Sequence, residues 1–446
     1  MKWVACFVLF LSVLASGVAA QKQPAGKASP AAAYKLIALK AMGTTRYTDK
    51  EILAASGLQI GQDVADGDFK EAVQRLGESG LFSNVAYSFS SSGAGTKVEL
   101  QLTDIDKSKL VPAHFENFVW FTDNELCASL QARVPLFKQL LPIAGNFPDR
   151  VSEALQALLA ENHFPGRVDH QSNADLSTGT LNAIDYRVEE VSIRIRSVEF
   201  PGASPEQTPL LIAAAHRLIG AEYGRSSLAA VAKRDLLPVY LQRGYLKAAF
   251  GPSEARALPQ PSSGADSQDV AVADVLVDAI LPVTPGNAYS TSGLDWKGNS
   301  AVTTAELAPL LHLPAGQPAD AVRLLRDIES VGKLYRSRGY MMVQIKQDAQ
   351  FDDDKSTVHY TLTVVEGDVY KMGELEVTGL DTQATARMRA AWTLHEGQTY
   401  NADYLKKFLA DTEQLLPHGV HWGVSIHETP DARDKTVDVE IHFKQQ

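Results

Sequence analysis

The strongest constraint on this chain is a glycine spacing that occurs four times. Gly43 and Gly61, Gly202 and Gly220, Gly298 and Gly316, and Gly379 and Gly397 each stand eighteen residues apart. Every pair brackets a short helical pattern, and a second helix, a glycine turn and two strands follow. Glycine at such points lets the backbone leave a strand or close a helix. One pair would carry little information, but four in register mark an internal repeat of a small supersecondary unit.

The first copy shows the unit's parts. Tyr34 to Met42 reads as a strand. After Gly43, Thr48-Asp49-Lys50-Glu51 forms a capping box, in which the Thr hydroxyl and Glu carboxylate satisfy orphan amides at a helix start. That helix ends at Gly57, and a second runs from Asp68 to Ser79 with Phe69, Val73 and Leu76 on one face. Gly80 stops it. Two alternating segments follow, Val85-Tyr87-Phe89 and Val98-Leu100-Leu102, each burying one side, with a hairpin loop over Ser90 to Gly95. The order is β-α-α-β-β.

The other copies vary this theme. The fourth repeats the first without gaps, pairing Thr303 and Glu306 as Thr48 and Glu51 are paired. The second carries Asn117 in place of the first glycine, repeats the box as Thr122 and Glu125, and then takes an insertion rich in Leu and Pro before Gly145. Its helix-ending glycine becomes Asn162, which tolerates a left-handed turn. Copies three and five keep their glycines and lose the box. The final strand recurs as Ile184-Tyr186-Val188, Val270-Val272, Val358-Tyr360-Leu362-Val364 and Val437-Val439-Ile441-Phe443.

These residues resemble POTRA domains, the polypeptide-transport-associated modules of BamA-like outer-membrane assembly factors and of two-partner secretion transporters. The resemblance rests on Gly57-Leu58-Gln59-Ile60-Gly61-Gln62, Gly80-Leu81-Phe82-Ser83-Asn84-Val85, Arg338-Gly339-Tyr340 and Glu366-Gly367-Asp368-Val369-Tyr370-Lys371-Met372-Gly373. It implies an α+β fold: a tandem array of five β-α-α-β-β modules, each a three-stranded mixed sheet with two helices on one face. The expected divisions are a signal peptide (1–20), a tether (21–33) and modules over 34–105, 106–190, 191–282, 283–367 and 368–446. Family members usually continue into a membrane β-barrel. No run of amphipathic barrel strands follows the last module, so the expectation is an array without a barrel.

Composition is consistent with export. Lys2, the apolar run Val4 to Leu14 and Val18-Ala19-Ala20 have the charge, core and small-residue site of a signal peptide. Once it is removed, Cys127 is the sole cysteine; its place on a helix core face predicts a buried, inert thiol. A formal charge of −11 disfavours nucleic acid as a partner.

No catalytic motif stands out, and no enzyme activity, cofactor or metal is expected. Asp352-Asp353-Asp354 falls at a hairpin turn, where solvated carboxylates account for it; a calcium loop needs more oxygen ligands at spaced positions. Val420, Trp422, Val424 and Ile426 alternate inward, which places His421, His427 and His442 together on an outer sheet face. Imidazoles so placed could hold zinc, although exposed strand positions are also simply filled by polar residues.

The resemblance further implies that the second strand of each module lies at a sheet edge and the third at the centre. An open edge offers unpaired amides and carbonyls to an added strand. The candidate edges are Phe82 to Phe89, His163 to Gln171, Tyr245 to Phe250, Tyr340 to Gln347 and Val420 to His427. Protein-binding residues are expected among Tyr340, Met342, Gln344, Lys346, His421 and His427. Phe115, Phe118, Trp120 and Phe121 read as core plus an interface. The implied role is a periplasmic scaffold of a Gram-negative-type bacterium, associated peripherally with the outer membrane. Its partners would be outer-membrane protein precursors or a β-barrel assembly partner. A structural spacer in a cell-envelope complex is the alternative.

Overall fold

The computed structural model describes residues 34–175, 177–258, 273–417 and 420–445. The expected signal peptide, the tether and the strand residues Val270 and Val272 lie outside the described residues. Contacts divide the chain into two compact units. One comprises the residues up to Pro112, Leu130–Ala154 and Ala174–Asn182; the other comprises Ala113–Ser129, Leu155–Asn173 and the chain from Ala183 onward.

In the first unit the order is β1 (Tyr34–Met42), α1 (Asp49–Ser56), β2 (Asp63–Val64), α2 (Asp66–Glu78), β3 (Phe82–Ser92) and β4 (Gly95–Asp104). The sheet runs β2-β1-β4-β3, with β1 parallel and β3 antiparallel to β4. Alternation shows on the central β4, where Val98, Leu100 and Leu102 are buried, as are Phe69 and Leu76 of α2. Val73 is only half-buried, and Ala72 takes the inner place. On β3 the expected burial of one side is only partial: Val85 and Tyr87 are half-buried, and Phe89, though its ring lies 5.2 Å from that of Phe69, is 46% exposed. The hairpin is also tighter than expected. Its strands pair out to Ser92 and Gly95, which leaves a two-residue turn. Further along come β5 (Leu110–Phe115), α3 (Asp123–Arg133), β6 (Leu140–Pro142) and α4 (Phe147–Glu161), of which only β6 lies wholly in this unit. Leu110–Pro112 pairs with β6, so the insertion of the second copy contributes a strand.

In the second unit, Ala113–Phe115 of β5 pairs in parallel with β8 (Leu181–Glu189), which is flanked by β7 (Arg167–Ala174). Then follow β9 (Val191–Glu199), α5 (Thr208–Ala214), α6 (Arg225–Val231), α7 (Leu237–Leu241), β10 (Ala249–Phe250), β11 (Glu254–Ala257) and β12 (Ala273–Ile280). The next group is β13 (Val283–Thr284), β14 (Ser290–Lys297), α8 (Thr304–Leu307), α9 (Ala321–Ser337), β15 (Gln344–Asp352) and β16 (Thr357–Val365). The last is β17 (Lys371–Thr378), α10 (Thr382–Ala391), α11 (Ala402–Thr412), β18 (Trp422–Asp431) and β19 (Thr436–Gln445).

Three sheets, β11-β12-β9, β14-β16-β15 and β17-β19-β18, share one plan. The last strand in sequence is central, parallel to the first and antiparallel to the one before it. The fold is thus α+β, built from small mixed sheets and helices. Central strands carry the core: Val358, Tyr360, Leu362 and Val364 are buried, as are Val437, Val439, Ile441 and Phe443. Helices α10 and α11 add Met388, Leu405 and Phe408 to the last cluster.

The two glycines of each repeated pair do different work. Gly298 has φ +78°, and an added Cβ would stand 2.3 Å from the Val364 carbonyl oxygen of β16. Gly43, Gly202 and Gly379 approach carbonyls of Leu102, Val283 and Phe443 in the same way. Gly316 has φ +79° but open space around the same position, and its amide donates to the Thr291 carbonyl at 2.7 Å. The first glycine therefore needs both the left-handed backbone and the missing Cβ, whereas the second needs only the backbone. Asn117 solves the first problem differently. Its Nδ2 donates to the Val188 carbonyl at 2.9 Å, and the Val188 amide donates to Oδ1 at 2.8 Å.

Helix starts follow the expected boxes at Thr48, Thr122 and Thr303. Copy three departs from expectation by keeping one: the Ser204 amide donates to Gln207 Oε1, and the Gln207 amide to Ser204 Oγ. Gln replaces Glu there, which sequence reading passed over. Asp381 caps α10 alone. After α4 the left-handed residue is His163 (φ 58°), since Asn162 stays near helical backbone and donates its side-chain amide to the Leu158 carbonyl at 2.8 Å.

Candidate functional site

Edge strands are the sites to examine, and the structure places them unevenly. β3, β7, β11, β15 and β18 each close one side of a sheet. For the third copy this moves the expected edge. Tyr245 to Phe250 forms only a two-residue ladder, β10 with β13, and the edge of the main sheet is β11.

The proposed binding residues fall into two separate groups. Tyr340 and Met342 precede β15 rather than belonging to it: Tyr340 is half-buried with its ring edge-on to Tyr335, and Met342 is 52% exposed. Gln344 opens β15 opposite Val365, and Lys346 follows opposite Thr363, both exposed. Val343 and Ile345 pack inward on the core near Tyr335. His421 lies before β18, and His427 sits within it opposite Glu440. His442 bonds to the Thr378 hydroxyl at 2.9 Å. Among the described residues no three His, Cys, Asp or Glu side chains gather as a metal set.

β18 is barer than its alternation predicts. Trp422 is half-buried, but Val420, Val424 and Ile426 are 37%, 41% and 38% exposed, because an edge strand has a neighbour on one side only. A cavity of about 780 Å³ opens beside it, lined by Met388, Leu409, Val420, His421, Trp422 and Val424 among others.

The most developed edge is β11. Its register with β12 pairs Glu254 with Ile280, Ala255 with Ala279, Arg256 with Asp278 and Ala257 with Val277. The Leu258 amide donates to the Leu276 carbonyl, so that pair is hydrogen-bonded. Antiparallel pairs alternate, which puts Arg256 and Glu254 in bonded pairs and turns the N–H and C=O of Ala255 and Ala257 outward. The groove beside this edge has a volume of about 780 Å³. Its far wall is aromatic: Trp120 stacks on Phe164 at 4.9 Å, and Phe121 meets Phe164 edge-on at 5.4 Å. Phe115 and Phe118 are buried, so the aromatic run of copy two divides into core and groove wall.

Polar groups frame the groove. Arg225 is ion-paired with Asp123. Tyr223 lies beneath it, with burial pushing its phenol pKa up. Ser253 is 6% exposed, and its hydroxyl has no aligned hydrogen-bond partner. Arg196 grips the buried Asp278 through two bonds of 2.9 and 2.6 Å, which fixes the strand that pairs with β11. Sequence reading missed this edge because the segment expected from the other copies ends at Phe250, whereas β11 begins at Glu254. The outward-facing alanines carry no distinctive signal.

Other expectations meet corrections here. Cys127 is half-buried, not buried. Asp353 stands in the expected turn with its side chain 64% exposed, and in addition its Oδ1 accepts from Lys247 Nζ at 2.7 Å and from the Tyr289 hydroxyl at 2.5 Å.

Residues 281–367, which span β13 to β16, match the family model POTRA, described as surface antigen variable number repeat. The chain carries a POTRA domain there. Solved structures similar to the chain include BamA POTRA3-5 of Haemophilus influenzae, at 18% identity over 57% of this chain and 96% of that one, with a TM-score of 0.44. The N-terminal domain of Omp85 from Thermosynechococcus elongatus matches at 17% identity over 57% and 97%, TM-score 0.23. CdiB from Escherichia coli matches at 16% identity over 50% and 36%, TM-score 0.19.

Proposed function

We propose that this chain serves outer-membrane protein assembly or transport in the periplasm, holding extended segments of precursors or of a barrel partner at its sheet edges. The POTRA match at 281–367 supports the setting. The repeated strand plan supports reading the chain as five modules with boundaries near 105, 190, 282 and 367. The observation that carries the binding claim is the edge of β11, unpaired among the described residues, whose outward peptide groups at Ala255 and Ala257 face an aromatic-walled groove. A strand added there gains backbone hydrogen bonds regardless of its sequence, while alternate side chains meet Trp120, Phe121 and Phe164. Main-chain recognition suits a protein that handles many different unfolded chains. The edges at β15, with Tyr340, Met342, Gln344 and Lys346, and at β18, with His421 and His427, are secondary docking places in this reading.

The test uses a photo-crosslinking amino acid at the exposed Glu254 in cells, with Ala255→Pro as the blocking variant. The amide of Ala255 makes no bond to β12, so proline there spares the sheet while deleting a donor on the open side. Loss of precursor adducts with an unchanged melting temperature is the expected result. Full crosslinking by a folded Ala255→Pro protein would favour the competing reading, a spacer with no client.

A further inference from the structure

Lysines at two joints between successive sheets share one arrangement, and a third repeats it within the last module. Lys247, just before β10, places Nζ 2.7 Å from Asp353, 4.7 Å from the centre of the Phe351 ring and 5.2 Å from that of Tyr289. The Tyr289 hydroxyl donates to the same carboxylate oxygen. Lys435, in the turn between β18 and β19, lies 2.7 Å from Asp368 and 5.9 Å from the Tyr370 ring, but all three belong to the last module, so this cluster does not cross a joint. In the first unit, Lys138 from the insertion lies 3.2 Å from Glu51 and 5.1 Å from the Tyr47 ring. The topological origins differ. Lys247 comes from the sheet before its joint and Lys138 from the sheet after, yet each ends on a tyrosine face beside a carboxylate.

A backbone pivot accompanies the two later joints. The Tyr289 amide donates to the Gly244 carbonyl at 2.8 Å, and the Tyr370 amide to the Gly339 carbonyl at 2.8 Å. At the earlier of these joints Leu246 also packs on the core around Tyr289 and Ala319, so the sheets are held together at one place, and rotation about it is limited by contacts farther out. Contacts off the pivot must stop that rotation, and at the joint between β12 and β14 the Lys247 cluster lies off the pivot. Its members are not sequestered: the side chains of Lys247 and Asp353 are 45% and 64% exposed. Exposed ion pairs weaken as salt screens them.

We propose that Lys138 and Lys247 are releasable latches, each fixing the angle at its joint through an ammonium held between an aromatic face and a carboxylate, with strength set by ionic strength. This inference is independent of strand addition. The joint between β8 and β9 serves as an internal contrast. There Arg225, with its side chain only 24% exposed, pairs with Asp123, and its amide donates to the Glu116 carbonyl. Its greater burial makes it less responsive to salt. Proton uptake adds no lever near neutrality. The Lys247 ammonium beside Asp353 lowers that carboxyl's pKa, and Asp353 in turn raises that of Lys247, so both stay charged there.

Paired spin labels at Glu254 and Asp348 in the full chain, with Cys6→Ala and Cys127→Ala, read the distance distribution across the Lys247 joint. For the unmodified latch, the distribution broadens between about 0.1 M and about 1 M salt, as the screening length falls from about 10 Å to about 3 Å. Lys247→Met, which keeps the stem, should already show the broad distribution at low salt and lose the salt response. Lys247→Arg should retain both the narrow distribution and the response. The proposal is overturned if the unmodified chain is equally narrow at both salt concentrations, or if folded Lys247→Met matches it at low salt. Should Lys247→Met fail to fold, the salt series of the unmodified chain decides alone.

Discussion

Gly298→Ala and Gly316→Ala form a matched pair in which backbone conformation is held constant and only steric space changes. Their φ values are +78° and +79°, and both flank the same sheet. For Gly316→Ala the cost is that of placing alanine in the left-handed region, roughly 1–2 kcal/mol, less a few tenths recovered by stiffening the unfolded chain. Gly298→Ala bears the same cost and adds an overlap, because its Cβ would lie 2.3 Å from the Val364 oxygen and 3.4 Å from the carbonyl carbon. Relief requires moving β16 by most of an ångström, and Val364 is in the core, so the overlap adds about 1–3 kcal/mol. We expect a difference of about 2 kcal/mol between the variants. Urea denaturation followed by hydrogen exchange over 283–365 reads it, and both variants share one denatured reference. Equal destabilisation would refute the division of labour assigned to the two glycines.

Other outcomes follow from single contacts. Asn117→Ala strips two bonds from the buried Val188 peptide groups and should cost roughly 3 kcal/mol by thermal or urea unfolding. Thr303→Ala should cost roughly 1 kcal/mol, read by hydrogen exchange in α8 and α9. Its partner Glu306 is held down to about 2 by Arg338 and by the Thr303 backbone and side chain. A depressed carboxyl stabilises fully above its unfolded value of 4.5, so the contribution of this cap should fade between about pH 4.5 and about pH 2 in an acid titration and be absent from Glu306→Gln. Gly339→Val would bring side-chain atoms against Thr399 Cγ2 at 2.8 Å and Val369 Cγ1 at 3.0 Å, and should speed exchange of the Tyr370 amide that bonds to the Gly339 carbonyl.

Local rules made much of this fold legible, and non-local ones hid the rest. Glycine spacing, the Thr-Glu boxes and the alternation of Val358 to Val364 are short-range signals, and each fixed an element near its observed place. The Ser204–Gln207 box went unread because the search was for Glu, although Gln satisfies the same amide. Burial on β3 and β18 was overestimated. Alternation tells which face a residue takes, but not whether anything covers that face at a sheet edge. The role of Asp353 depends on Lys247 more than a hundred residues away, which no local pattern encodes. For the same reason the groove at β11 was invisible: its wall, Trp120 and Phe164, comes from elsewhere in sequence, and its working atoms are the backbone of two alanines.

That backbone offers the most direct test of strand addition. Amide exchange along β11 can be followed by nuclear magnetic resonance with and without a synthetic peptide of alternating aromatic and threonine residues. The account predicts an alternating response. The amides of Ala255 and Ala257, which point out of the sheet, gain protection when the peptide binds, whereas that of Arg256, already bonded to β12, stays as it was. Unchanged exchange at Ala255 and Ala257 under saturating peptide, or an equal change at all three, would contradict it.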